Sequence, residues 1–364
     1  MKERIIAILA NSNSIHTQRW VNELVKRQYK IHLISQSAGC NNLPSHIDLH
    51  YLPFHCNIGY FFNVPFLKML LRKIKPDLLH VHYASGYGTL GRLCGFHPYM
   101  LSVWGSDVFD FPYQSSIKMS LIQKNLRAAD LIASTSNAMA KQTHKICEGL
   151  SKIHITPFGI DIHSFKPQGD ANQQKIKTIT VGTVKTLDFI YGVDILLKGF
   201  AEARKAILSV DKKIASMLRL LIVGGGKEKD YLVNLANELG IMNVTEFAGA
   251  VPHSSVPDFL NNINVYVAAS RYESFGVAVL EASACALPVI VTNVGGLPEV
   301  VEDGVTGLVI PKDDHIALAK AIETLIMDES LRRTMGHAGL KRVVDNYTWE
   351  NSVSIMEEVY KKII

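Results

Sequence analysis

Ala269-Ser-Arg-Tyr-Glu-Ser-Phe-Gly-Val-Ala-Val-Leu-Glu-Ala-Ser-Ala-Cys-Ala-Leu-Pro288 sets two carboxylates, Glu273 and Glu281, eight residues apart around the start of an almost wholly apolar segment. Read as a helix, eight residues rise roughly 12 Å, and eight steps of about 100° leave both glutamates within about 80° of one face. A carboxylate in so apolar a helix is costly unless it has a partner. Ser274-Phe-Gly276 would open the helix, where unbonded N–H groups and the helix dipole favour an anion such as pyrophosphate. A bound molecule would then meet Glu273 at one end, the helix start at its phosphates and Glu281 at the other end. A sugar nucleotide, with hexose, pyrophosphate and ribose in line, has that layout. The plainer alternative is a buried helix with two incidentally ion-paired glutamates.

Working outward, 364 residues are too many for one typical domain, and two is the natural expectation. A composition 48% hydrophobic and 20% charged, without low-complexity tracts, is that of an ordinary globular enzyme. The start, Met1-Lys-Glu-Arg-Ile-Ile-Ala-Ile-Leu-Ala10, reads as a first strand rather than a signal peptide. No run approaches the ~18 apolar residues of a membrane span. Cys40, Cys56, Cys94, Cys147 and Cys285 are odd in number and contain no C-x-x-C, so a disulfide framework or zinc site is not expected and a reducing, cytoplasmic compartment is. The net charge of +5 hides an asymmetry. Residues 1–170 carry 18 Lys and Arg against 10 Asp and Glu, and the remainder 20 against 23. A basic front half points to an anionic partner, a membrane surface or an acidic glycan, or else to a solvated basic surface. No RNA-binding or DNA-reading signature is present, so nucleic acid is not expected.

Short β-branched runs alternate with amphipathic segments throughout, which reads as repeated βα units and parallel sheets. The expected strands are Ile5–Ala10, Ile31–Ser35, Leu78–Val81, Met100–Val103, Leu131–Ser134 and Ile153–Thr156 in the first half. In the second they are Thr178–Val184, Leu218–Val223, Val244–Phe247, Asn264–Ala268, Val289–Val291 and Gly307–Val309. Lys166-Pro-Gln-Gly-Asp-Ala-Asn-Gln-Gln174 has no apolar periodicity and reads as a linker. The domains expected are 1–168 and 175–345, with a terminal helix over 346–364.

Ser-Phe-Gly-Val-Ala-Val-Leu between Glu273 and Glu281 resembles the Glu-x7-Glu motif of the retaining glycosyltransferases of family 4. Ala282–Pro311 resembles that family's next segment, and Pro157–Phe165 resembles the one before the linker. The resemblance implies the GT-B fold, α/β, with two doubly wound Rossmann-like domains facing across a cleft and the terminal helix crossing back to the first. It implies a metal-independent hexosyl transfer, with retention, from a nucleoside diphosphate sugar (a UDP-sugar first) to a hydroxyl acceptor. Cell-envelope polysaccharide or lipopolysaccharide synthesis, on a glycan or lipid-linked acceptor, is the expected setting. No cofactor and no metal are expected beyond the nucleotide sugar. Two alternatives stay open: a GT-B sugar-nucleotide epimerase, and a non-catalytic two-domain sugar-binding protein. A dinucleotide-dependent oxidoreductase lacks its G-x-G-x-x-G after the first strand.

On this reading Glu281 holds the ribose, Glu273 the donor sugar, and the N–H groups around Ser274, Phe275, Gly276 and Val277 the phosphates. Lys185, in the loop after the strand Thr178–Val184, would offset leaving diphosphate charge. The family commonly has an Arg and a Lys there; one of them is missing or displaced here. Arg271 is a candidate second cation, or else an ion-pair partner of one glutamate. Val251 and Pro252 would border the nucleotide base, and His253 is at least a helix-start residue. Gly224-Gly-Gly226 reads foremost as a turn. In the first domain, Ser14 lies in a loop without the family's glycine pair, and Ser14 and Thr17 also read as helix caps. Trp104 stands where the family's His-Gly-Ser-Asp segment has its histidine, so no catalytic histidine is carried over. Asp107 is a candidate for orienting an acceptor or donor hydroxyl, or a helix N-cap. His80 and His82 share a strand face without a third metal ligand; His82 is the one expected near substrate. Tyr60–Lys75 mixes large apolar residues with four cations and reads either as a membrane-interface helix or as a helix packed on the sheet. A protein peripheral to the inner face of the cell membrane is the corresponding expectation.

Overall fold

A computed structural model describes residues 4–27, 29–39, 43, 47–168 and 178–364, and divides the chain into two compact units. The first is Met1–Gly159 with Trp349–Ile364; the second is Ile160–Thr348. Each is a parallel sheet flanked by helices.

The first sheet comprises β1 (Ile5–Leu9), β2 (Lys30–Ser35), β3 (Asp48–Tyr51), β4 (Leu78–His82), β5 (Tyr99–Val103), β6 (Leu131–Ser134) and β7 (His154–Ile155), in the order β3-β2-β1-β4-β5-β6-β7. β4 and β5 are buried at every residue, as strands covered on both faces must be. The short edge strand β3 is missing from the sequence expectation; only Leu49 in it is aliphatic, so it shows no apolar alternation. The second sheet comprises β8 (Ile179–Val184), β9 (Leu218–Val223), β10 (Thr245–Gly249), β11 (Val265–Ala268), β12 (Val289–Thr292) and β13 (Gly307–Ile310), in the order β10-β9-β8-β11-β12-β13. In both sheets the order reverses direction once, between β1 and β4 and between β8 and β11.

The boundary between the units falls earlier than the linker reading placed it. Ile160 bridges Thr348, Phe165 packs on His253, and Lys166 and Gln168 bond Asn261, so residues 160–168 belong with the second unit. Residues 169–174 of the expected linker, like Cys40, lie outside the described residues. Cys56, Cys94, Cys147 and Cys285 are free thiols. Among the described residues no helix is long and apolar enough to cross a membrane.

The helix Trp349–Tyr360 completes the first unit. Trp349 packs edge-on against Trp20, and the Tyr360 hydroxyl bonds His80 Nδ1 at 2.8 Å. His80 Nε2 meets Ser102 Oγ at 2.7 Å, so this histidine serves two hydroxyls and not buried backbone. Burial pushes His80 down to about 3, so the ring stays neutral, donating one of these bonds and accepting the other. Removing the hydroxyl with Tyr360→Phe strands one ring nitrogen in a dry core. We expect a loss of about 1–3 kcal/mol in urea unfolding, with an unchanged m-value; an unchanged midpoint would show that the bond contributes nothing net.

Candidate active site

In a doubly wound sheet, ligands bind at the carboxyl ends of the strands where the order reverses. In the second unit the chain leaves β8 towards β9 and leaves β11 towards β12, in opposite directions, so the loops after these two neighbours part. Lys185 heads the loop after β8, its N–H bonded to Val223 O at 2.9 Å. Glu273 lies in the loop after β11. Their side chains meet, Lys185 Nζ to Glu273 Oε2 at 2.5 Å, and both are nearly buried. Burial pulls the ammonium's pKa down, but Glu273, with Tyr266 and Tyr191 beside it, more than reverses this and leaves it above the ordinary lysine value. The Tyr191 ring lies 4.7 Å from the ammonium, centroid to nitrogen. Lys185 is therefore a fixed cation, already paired.

Glu273 is not on the helix. The helix is Val277–Ala284, and Gly276 at its N-cap has φ +114°, a conformation that a side chain resists and that breaks the helical phase. The helical arithmetic relating Glu273 to Glu281 therefore does not apply. The Glu273 backbone is held instead from above: its carbonyl accepts Gly296 N–H at 3.1 Å. A Cβ on Gly295 would overlap that carbonyl oxygen, and Gly295 has φ +51°. The Gly295-Gly296 pair, not singled out from sequence, is what lets the chain pass directly over Glu273–Phe275. Phe275 and Gly276 are buried, Ser274 and Val277 half-buried, and no side chain caps the helix at Gly276.

Glu281 is buried on that helix and bonds His253 Nε2 at 2.9 Å. His253 does open the short 3-10 helix His253–Ser255, but its ring is also the partner of Glu281 and packs on Phe165. Burial and Glu281 together push the Cys285 thiol up to about 12, so it stays protonated. Val251 is half-buried and Pro252 exposed in the loop after β10. Gly224–Gly226 pack on the Lys185 loop: Leu187 N–H bonds Gly225 O, and Cβ atoms at Gly224 and Gly226 would strike Lys185 and Leu187 backbone.

Arg271 pairs with neither glutamate and offers no open cation. Its Nη1 and Nη2 each bond one Asp194 oxygen at 2.8 Å, Nε bonds Asp313 at 2.6 Å, and Nη1 also donates to Phe189 O. Its backbone N–H bonds Ile190 O. Arg271 thus ties the Glu273 loop to the chain that follows Lys185, and is a positioning residue. Asp314, beside Asp313, caps the helix His315–Met327.

In the first unit, Asp107 is fully buried and accepts from the N–H groups of Ala84 (2.8 Å), Gly105 (2.8 Å) and Trp104 (3.2 Å). Burial raises its pKa, with these donors opposing. The carboxylate organises the loops after β4 and β5, and the N-cap of the short helix Ser106–Phe109 is Gly105 rather than Asp107. His82 is likewise buried, 4.4 Å from the half-buried Trp104 ring, and burial then His80 hold its pKa well below the ordinary value. Ser14 stands at the N-cap of the helix Ile15–Lys26 without a side-chain capping bond, and Thr17 is buried inside that helix and caps nothing.

Residues 165–342 match the family model described as glycosyl transferases group 1, and residues 5–136 match the one described as glycosyl transferase 4-like. The chain is 28% identical over an alignment of 388 residues to the capsular polysaccharide biosynthesis glycosyltransferase CapM of Staphylococcus aureus, covering 100% of this chain and 98% of that one. It is 29% identical over 224 residues to a D-inositol 3-phosphate glycosyltransferase of Corynebacterium jeikeium, covering 58% of this chain but only 52%, about half, of that relative's length. The solved structure of Anabaena HepE in complex with UDP-glucose superposes with a TM-score of 0.78 at 19% identity, over 98% of this chain and 99% of that one. The chain is a glycosyltransferase with the GT-B fold, similar over residues 5–136 and 165–342 to the two family models, the first described as family 4-like.

Arg271→Ala would remove the two-pronged partner of the largely buried Asp194 carboxylate and leave it Lys198 at 3.9 Å, so the loss of stability should stay at or below about 3–5 kcal/mol, that of a fully unpaired buried charge. The double variant Arg271→Met with Asp194→Leu should recover most of that loss. Urea unfolding of Arg271→Met, Asp194→Leu and the double variant reads the cycle; additive losses would show that the pair does not hold the loop.

Proposed function

We propose that this transferase moves a sugar from a nucleoside diphosphate sugar, a UDP-sugar first, to a hydroxyl of a glycan or lipid-linked acceptor, with retention at the anomeric carbon. The observation that carries the reading is the juxtaposition of Lys185 and Glu273 at the point where the strand order reverses, next to the start of the helix that leads to Glu281. The UDP-glucose in the HepE structure supports the donor class, and the CapM likeness supports a cell-envelope polysaccharide or lipopolysaccharide-type acceptor. The thiols described above suit a reducing, cytoplasmic setting.

On this reading the diphosphate lies against the helix start at Gly276, where backbone N–H groups and the dipole favour it. The ribose hydroxyls bond Glu281, whose position His253 fixes. The sugar hydroxyls bond Glu273. As the acceptor oxygen bonds the anomeric carbon, the bond from that carbon to the diphosphate oxygen breaks and its electron pair leaves with the diphosphate. The acceptor proton passes to a donor phosphate oxygen, and attack on the face being vacated preserves the configuration. Lys185 stays protonated and faces the negative charge that develops on the leaving group. The ammonium and Glu273 neutralise each other before the donor arrives, so neither waits as an isolated charge in a buried site.

Glu281→Ala is expected to weaken donor binding roughly 10- to 150-fold, the equivalent of about 1.5–3 kcal/mol for a charged hydrogen bond. Glu273→Ala should mainly lower turnover. Calorimetric titration with the nucleotide sugar and assay of released nucleotide read the two effects. Normal binding and turnover in both variants would sink the donor placement, and a free sugar epimer in place of a glycoside would turn the assignment to an epimerase.

The reading gives the diphosphate charge to Lys185 and the helix start, so activity should persist in excess EDTA. Full loss, restored by one divalent ion, would overturn that assignment.

A further inference from the structure

We propose, resting on the donor reading above, that Tyr191 is the positioning residue that holds the Lys185 ammonium at the diphosphate once Glu273 turns to the donor sugar. The ammonium is paired with Glu273 Oε2 at 2.5 Å, and the Tyr191 ring centroid lies 4.7 Å from the same nitrogen. Among the described residues these are its hydrogen-bonded and its aromatic partner, with no third. The donor reading asks Glu273 to do two things at once. Hydroxyls of the bound sugar donate to its oxygens and compete there with the ammonium. A lysine whose carboxylate is engaged elsewhere is a charge on a flexible four-carbon stem. The contact that remains is the negative face of the ring, which attracts an ammonium within about 6 Å of its centroid. Phosphate oxygens, negative like that face, do not displace the ammonium from it.

The ring is presented by a turn that the Glu273 loop itself holds. Tyr191 ends the short 3-10 helix Phe189–Tyr191, which the Asp188 side chain caps by accepting the Ile190 N–H. The Ile190 carbonyl accepts the N–H groups of both Arg271 (2.8 Å) and Tyr272 (3.2 Å). Arg271 Nη1 donates to Phe189 O at 2.7 Å, and its guanidinium carbon lies 4.0 Å from the Phe189 ring centroid. Gly192 follows with φ +63°, and a Cβ there would overlap the Ala269 carbonyl oxygen. Ring and carboxylate are therefore set by one frame onto the same ammonium. Tyr266 does a different job: its hydroxyl donates to Val184 O at 3.2 Å and fixes the strand end before Lys185. Burial, more than any neighbouring charge, raises the pKa of the Tyr191 phenol, so the ring stays neutral beside the cation. Among the described residues no hydrogen bond engages its hydroxyl, so the ring face is what the fold employs here.

UDP-glucose, UDP-galactose and UDP-N-acetylglucosamine are the probes, and the one from which the parent releases UDP fastest is used for the variants. Tyr191→Phe keeps the ring face and should keep kcat within about twofold of the parent. Tyr191→Met fills similar space without a π face and should lower kcat about 2- to 30-fold, the equivalent of about 0.5–2 kcal/mol. The donor KM should move less than about threefold, because the ammonium faces charge that develops in the transition state. Fluorinated phenylalanines incorporated at position 191 thin the π charge at nearly constant shape, and kcat should fall with each added fluorine. A side chain that merely packs the turn gives no such series, and the series decides the matter even where Tyr191→Met lowers the melting temperature. A parent that releases UDP from none of the three probes overturns the donor reading and the role of Tyr191 together. A parent that does release UDP, with equal kcat in the Phe and Met variants or a flat fluorine series, overturns the role of Tyr191 alone.

Discussion

The second unit depends on one constraint. Two neighbouring parallel strands, β8 and β11, send their following chains in opposite directions, so the loops at their carboxyl ends are not covered by either crossover helix. The fold therefore brings distant loops together there without filling the space between them. Lys185 and Glu273 meet because they terminate these two strands, and burying both is tolerable only because each neutralises the other. Arg271 adds a second tie between the same loops through Asp194 and Phe189. Gly295 removes a side chain that would strike the Glu273 carbonyl, and Gly276 one that would crowd Leu297 and Val300.

The sequence was legible where the information is local. The two sheets could be read from β-branched runs, because strands buried on both faces have little polar patterning to confuse them. Glu273 and Glu281 stand out because carboxylates in an almost wholly apolar segment are costly without a partner, and Lys185 because it is a cation in the loop after a strand. What sequence spacing could not supply was the partner of each group. Arg271 is 77 residues from Asp194 and 42 from Asp313, and nothing local in the chain announces either. His253 looked like a helix-start residue, and only the fold brings it 28 residues forward to Glu281. The helical phase linking the two glutamates failed for a local reason that was visible: Gly276 can take a backbone conformation that ends the count. Gly295-Gly296 carried a similar signal, a glycine pair in the loop after a strand.

The first unit shows the opposite balance. Its candidate residues were chosen by their place at strand ends, and the fold buries two of them. Asp107 spends its carboxylate on three backbone N–H groups, and His82 is enclosed by rings. A buried acid held by three backbone donors is a structural solution, whereas His82 Nδ1 is buried without a hydrogen-bond partner, and neither state can be judged from strand position alone. The helix pair at 59–74 shows why patterning was equally undecided there. The inner leucines satisfy the core, as the packed-helix reading required, while the phenylalanines and cations on the other side stay exposed, so both readings draw on real features of the pattern.

The helix that closes the first unit is encoded after the whole of the second. Trp20 and His80 wait for Trp349 and Tyr360 across some of the longest sequence separations in the chain. During synthesis the second unit has every residue of its sheet and core as soon as position 348 has emerged, whereas the first, although made earlier, still lacks the side chains that cover part of its core. Order of translation and order of completion are thus reversed, and the early half stays incompletely packed for as long as the ribosome takes to make the late one.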